Sequence, residues 1–244
     1  MQLALDPIRA GRWSIESTRR ALNGSGTTVY SGMMAMHGED YATIDAIRAT
    51  GGVRPAATWD ANVKAAHDNA AVARELGIYL VTFHAGFIPE DESDPERETM
   101  IERVAAIARA FGDQGVRVAL ETGQESPAAL AAVLADERLA EVGVNFDPAN
   151  MVLYGSGDPI DALRVLAPRV SQIHLKDADP APEPGVWGTE QPLGEGSVDW
   201  DAFFALVRER LPGVGLIVER EAGETRIEDV RTAVALARSH GVSA

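Results

Sequence analysis

Four apolar runs of the chain each end in a side chain able to hold a cation: Glu121 after Val-Ala-Leu, Asp147 after Val-Asn-Phe, His174 after Gln-Ile and Glu219 after Leu-Ile-Val. Three carboxylates and one imidazole form a mixed oxygen and nitrogen set, which suits a hard or borderline divalent ion. Manganese is the expected ion, and magnesium, cobalt or zinc would also fit. Each residue has an ordinary reading as well. A glutamate at a strand end is commonly a solvated turn residue or a helix cap. Asp147 before Pro148 would cap the next turn, and a histidine on an apolar strand is commonly a satisfied core residue. The joint pattern tips the balance, because three acids buried in one mouth would cost several kcal/mol each without a counter-ion.

Other residues accompany this set. Lys176 lies two positions beyond His174, hence on the same strand face, and could polarise a substrate oxygen or pair with Asp177 or Glu219. His84 ends another apolar run with the inward parity of Thr82 and Gly86, so it either touches substrate or packs. Trp13, His37 and Trp187 are candidates for a pocket rim, with ordinary packing as the alternative for each. His67 and His240 fall in helical patterns and read as surface or packing positions, and Glu195 between Gly194 and Gly196 reads as a turn.

Such residues converge only if separate strands end on one face. Strand signals cover Gln2–Leu5, Val29–Met34, Ile78–His84, Val116–Glu121, Val142–Asp147, Val170–Lys176 and Leu216–Glu219. They alternate with helical patterns, which predicts repeated β-α units and a parallel sheet. Several are almost wholly apolar, as strands covered on both faces should be. Asp94-Pro95, Ser126-Pro127 and Asp158-Pro159 each put a capping side chain before a proline suited to the first helical turn, and a further helix is expected over about Thr58 to Leu76. Gly77 and Gly112 follow apolar-periodic stretches and are expected to close helices in the left-handed conformation. The Pro- and Gly-rich stretch Ala178–Ser197 reads as a long loop, a lid or rim.

The fold class this predicts is α/β, a TIM (β/α)8-type barrel forming one domain over residues 1–244. Its active site would lie where the strand C-termini converge. A closed barrel of this kind has eight strands, whereas seven are recognised, and the chain opens directly inside one of them. The preferred explanation is that the first β-α unit is absent, which predicts a sheet gap between Gln2–Leu5 and Leu216–Glu219. An open edge there would favour self-association into a homo-oligomer.

Composition narrows the function. The net charge of −15 disfavours nucleic-acid binding. The absence of cysteine removes disulfides, thiolate nucleophiles and thiolate-held zinc. No apolar run approaches the roughly 20 residues of a membrane-spanning helix, and residues 1–9 lack the pattern of a signal peptide, so a cytoplasmic location is expected. Only Lys64 and Lys176 are lysines.

Several segments together resemble the sugar phosphate isomerase/epimerase superfamily of xylose isomerase-like barrels. They are Phe83-His84-Ala85-Gly86, Leu120-Glu121-Thr122, Asn145-Phe146-Asp147-Pro148-Ala149-Asn150, Ile173-His174-Leu175-Lys176-Asp177, Leu193-Gly194-Glu195-Gly196-Ser197-Val198-Asp199-Trp200 and Val218-Glu219. The resemblance implies that Glu121 and Glu219 are both ligands and acid/base groups, and that Asp147 and His174 are ligands only. It also implies a strand and helix ahead of Gln2–Leu5. One position departs: ketose 3-epimerases typically carry a histidine three residues after the ligand aspartate, and here Asn150 stands there, able to hydrogen-bond a sugar hydroxyl but not to carry a proton.

The expected activity is metal-dependent isomerisation or epimerisation of a carbohydrate through an enediolate, with Glu121 and Glu219 moving the carbon-bound proton. His84, Asn150 and Lys176 are the expected substrate contacts. Elimination from a keto-polyol or 3-keto-glycoside on the same site is the main alternative. Phosphodiester cleavage, known on this barrel with more histidines and several metals, and non-catalytic sugar binding are the remaining ones. With few basic residues at the strand ends beyond Lys176 and Arg220, an unphosphorylated substrate is expected.

Overall fold

The computed structural model describes residues 1–183 and 185–242. The chain opens with β1 (Gln2–Ala4), α1 (Asp6–Arg9), α2 (Ile15–Ser25), β2 (Ser31–Met33), α3 (Ile44–Thr50), α4 (Trp59–Leu76) and β3 (Leu80–Phe83). It continues through α5 (Pro95–Gly112), β4 (Arg117–Glu121), α6 (Pro127–Leu134), β5 (Gly143–Phe146), α7 (Pro148–Tyr154), α8 (Pro159–Leu166) and β6 (Val170–Leu175). It closes with β7 (Asp177–Asp179), β8 (Thr189–Gln191), α9 (Trp200–Arg210), β9 (Gly215–Val218) and α10 (Arg226–Ser239). Seven parallel strands run in the order β1-β2-β3-β4-β5-β6-β9, which is the chain order, with β1 and β9 at the two ends. No helix among the described residues is long and apolar enough to cross a membrane.

Two compact units are distinguishable. The first holds residues 1–40, 46–120 and 133–143. In it Leu3 pairs with Gly32, Gly32 with Val81 and Val81 with Val118. Phe83, Phe111, Ile47 and Leu5 are fully buried around these strands. Asp94 caps α5 by accepting from Glu96 N at 2.8 Å, and α4 ends on Gly77 at φ +73°. Gly112 departs from expectation. It stays helical as the last residue of α5, Asp113 follows in the right-handed region, and the left-handed turn falls on Gly115 at φ +73°. Two glycines three residues apart both met the requirement, and the left-handed turn falls on the second.

The second unit holds residues 41–45 and 121–132 and the chain from Val144 on. Asn145 pairs with Gln172, and His174 with Ile217. Its core gathers Leu163 and Ile173 with Phe146, Trp200, Phe203 and Phe204, whose ring centroids lie 5.1 to 6.0 Å apart in contacting pairs. The stretch Ala178–Ser197 is not a plain loop. Asp177–Asp179 and Thr189–Gln191 form an antiparallel two-stranded ribbon. Strands of three residues carry too little alternation to register among prolines and glycines.

Candidate metal centre

The ends of β4, β5, β6 and β9 bring Glu121, Asp147, His174 and Glu219 together. One ligand atom from each lies within 4.8 Å of all the others. His174 Nδ1 is 3.1 Å from Glu219 Oε2, 3.4 Å from Glu121 Oε1 and 3.5 Å from Asp147 Oδ2. Asp147 and His174 are fully buried, and Glu121 nearly so.

Asp147 does two things with two oxygens. Its Oδ1 accepts from Asn150 N at 2.8 Å and caps α7, and its own N–H donates to Thr122 Oγ1 at 2.8 Å. Its Oδ2 is buried without a hydrogen-bond partner. A desolvated carboxylate oxygen with nothing to accept from is costly. An ion shared with the neighbouring ligand atoms would satisfy it, so the residues present fit a divalent cation.

Glu121 is held by two amides. Asn150 Nδ2 donates to Oε1 at 3.0 Å, and Asn145 Nδ2 donates to Oε2 at 3.0 Å. Gly123 permits the first of these contacts. It sits at φ +143°, and a Cβ there would lie 2.7 Å from Asn150 Cβ and 3.1 Å from the Tyr154 ring. Lys176, 3% exposed, places Nζ 2.5 Å from Glu221 Oε2, 3.2 Å from Glu219 Oε2 and 3.4 Å from Asn150 Oδ1.

The electrostatics follow from burial opposed by these charges. Burial pushes the Asp147 carboxyl up to about 6, against the pull of His174 and Lys176. For His174, burial favours the neutral ring, but the charges of Glu121 and Glu219 outweigh it and the pKa rises well above the ordinary value. Burial would also raise Glu219, yet His174 and Lys176 draw it well below the usual carboxylate range. Lys176 rises in turn, since Asp147, Glu219 and Glu221 overcome its desolvation.

Asp177, next to Lys176 and fully buried, supports the ribbon. Its carboxylate accepts from Trp200 Nε1 at 2.7 Å and from the N–H groups of Ala178, Gly194, Gly196 and Val198 at 2.9 to 3.3 Å. A Cβ on Gly196 would collide with that carboxylate. This explains the glycine and tryptophan in Gly194-Glu195-Gly196-Ser197-Val198-Asp199-Trp200 as partners of one acid.

The chain matches the xylose isomerase-like TIM barrel family over residues 11–240. It belongs to that family. Among solved structures it is similar to a xylose isomerase domain protein from Planctomyces limnophilus, with 31% identity and a TM-score of 0.90 over 98% of this chain and 87% of that one. The probable 3-DHS dehydratase AsbF of Bacillus anthracis shares 19% identity at a TM-score of 0.72, covering 97% and 87% of the two chains. A D-psicose 3-epimerase solved in the presence of D-fructose shares 16% at 0.69, covering 98% and 87%. These last two likenesses show the fold alone. The uncharacterized protein YihM of Escherichia coli (strain K12) is 28% identical over 147 residues, 59% of this chain and 44% of that protein.

Within this xylose isomerase-like barrel, the remaining candidates are placed as follows. Asn150 and Lys176 join the cluster through Glu121 and Glu219. His84 follows β3, half-buried, in the first unit. Trp13 and His37 are exposed in that unit, and Glu195 is an exposed turn residue. Trp187 packs edge-on against Tyr154 with ring centroids 4.9 Å apart. Asn145, Gln172 and Glu221 belong to the cluster and were not anticipated. Each had a signal: Asn145 and Gln172 are polar positions inside apolar strands, and Glu221 repeats the parity of Glu219.

Proposed function

We propose that the chain is a metal-dependent isomerase or epimerase acting on an unphosphorylated carbohydrate. The observation that carries this reading is the cluster of Glu121, Asp147, His174 and Glu219, its first three members buried, with an oxygen of Asp147 left without a hydrogen-bond partner. These four would hold the ion. When bound, a divalent cation supplies a Lewis acid for the sugar carbonyl and its neighbouring hydroxyl, manganese being the expected ion.

The chain's own residues would handle the proton. One of Glu121 and Glu219 takes it from the carbon beside the carbonyl, and the other returns one, to the opposite face for epimerisation. Return to the adjacent carbon gives an aldose–ketose shift. Lys176 supplies a fixed positive charge beside Glu219 where a substrate oxygen would gain negative charge. Asn150 completes the expected substrate contacts within the second unit. Support for an unphosphorylated substrate comes from the cations: Arg220 is already tied to Glu190 and Asp229, and Lys176 to Glu219 and Glu221.

A second reading, elimination from a keto-polyol or 3-keto-glycoside, is favoured by one observation. The position where 3-epimerases carry a histidine is Asn150, and its side chain is engaged with Glu121. Incubation of the Mn2+-loaded protein with a ketose panel in D2O separates the two. Deuterium entering the sugar without loss of water or of a leaving group supports epimerisation. Loss of such a group with formation of an unsaturated ketone supports elimination. Neither product, or near-normal turnover in Glu121→Gln, overturns the assignment.

A further inference from the structure

Beneath the four side chains lies a second polar layer that the proposed chemistry does not use. Asn145 and Gln172 stand two residues before Asp147 and His174, on the same faces of their strands. They are direct partners in the parallel register of β5 and β6. Both are fully buried, at depths where a parallel barrel is ordinarily filled by branched apolar side chains. Buried amides are costly unless hydrogen-bonded, and these are tied to each other and to the cluster. Gln172 Nε2 donates to Asn145 Oδ1 at 3.1 Å, and Asn145 Nδ2 donates to Glu121 Oε2 at 3.0 Å. The same nitrogen lies 3.2 Å from His174 Nε2. One amide therefore touches the acid carried by β4 and the imidazole carried by β6.

We infer that Asn145, braced by Gln172, is a positioning residue that sets the carboxylate plane of Glu121 for the cation. The inference rests on the metal reading above. A carboxylate turns easily about its last torsion. With Oε2 tied to Asn145 and Oε1 to Asn150, that rotation is stopped. The same Asn145 nitrogen packs against the His174 ring, 3.2 Å from Nε2 and 3.5 Å from Nδ1. Gln172 keeps the amide of Asn145 from turning over, because a turned amide would set Nδ2 against the Nε2 donor of Gln172.

Calorimetric titration with Mn2+ tests this on the wild-type chain and three variants. Asn145→Leu is expected to weaken Mn2+ binding about 10- to 100-fold, the usual effect of losing an outer partner of a metal ligand. Gln172→Met, which removes only the brace, is expected to weaken it less, in the same direction. Asn69→Leu serves as the control: Asn69 is equally buried and donates to Asp6 Oδ1 at 3.1 Å within the first unit. It should lower the melting temperature and leave Mn2+ affinity unchanged. If Asn145→Leu does not fold, Gln172→Met decides, with at least about threefold weakening supporting the role and wild-type affinity overturning it. Normal Mn2+ binding by both the wild type and Asn145→Leu overturns the positioning role alone. Failure of the wild type to bind Mn2+ overturns the metal reading together with it.

Discussion

Asn150 Nδ2 donates to Glu121 Oε1 at 3.0 Å, while the backbone N–H of Asn150 donates to Asp147 Oδ1 at 2.8 Å. One residue at the start of α7 thus ties an acid on β4 to an acid beyond β5. Asn150 is a neutral tether, with no titratable proton of its own. The proton traffic of the proposed reaction is thereby left to Glu121 and Glu219, with Lys176 as the nearby cation.

The two oxygens of Asp147 make separable contributions. Asparagine caps a helix as well as aspartate does, whereas alanine costs about 1 kcal/mol. Asp147→Asn should therefore keep or raise the stability of the ion-free protein, since the buried charge is removed, and lose most of the stabilisation by Mn2+, which for the wild type is about 2.7 kcal/mol at 100 times Kd. Asp147→Ala should lose both. Thermal melts with and without Mn2+ read the two effects, and Mn2+ stabilisation of Asp147→Asn equal to wild type would remove Asp147 from the ligand set.

Cation binding should tighten as pH rises. Burial holds the Asp147 carboxyl up to about 6, and Glu121 and Glu219 hold His174 well above its ordinary value despite burial. The ion needs a carboxylate and a neutral imidazole, so it must displace protons from the cluster. Mn2+ affinity should climb through pH about 6, with proton release visible by calorimetry in buffers of different ionisation enthalpy. In the ion-free protein Asp147 acts the other way. A carboxyl raised above its ordinary 3.8 stabilises the fold below that value and loses the contribution as pH rises through about 6. Mn2+ affinity independent of pH across this window would contradict both statements.

Asp177 should be a stability residue. Asp177→Ala would strip the acceptor from four backbone N–H groups and the Trp200 indole, costing about 3 kcal/mol or more. Urea denaturation measures this. A loss under about 1 kcal/mol would mean that the ribbon and the following loop hold their course without it.

Much of the fold could be read from the residues. The parallel strands, the caps at Asp94 and Asp158 and the end of α4 at Gly77 depend on local chemistry: apolar runs for strands covered on both faces, and a side-chain oxygen or a left-handed glycine at a helix end. Local chemistry did not separate Gly112 from Gly115, nor mark the three-residue strands of the ribbon.

The candidate site divides in the same way. Sequence alone determined which side chains end the strands, and therefore that Glu121, Asp147, His174 and Glu219 were the ones to watch. Only the tertiary structure decided that their ligand atoms lie within 4.8 Å of one another, that Asp147 splits its oxygens between a cap and the cluster, and that Asn145 and Gln172 form a polar layer beneath them. The physical reason is range. Capping and alternation act over a few residues of chain, whereas the bonds from Glu121 to Asn145 and Asn150 cross 24 and 29 residues and exist only once separate strands are in register.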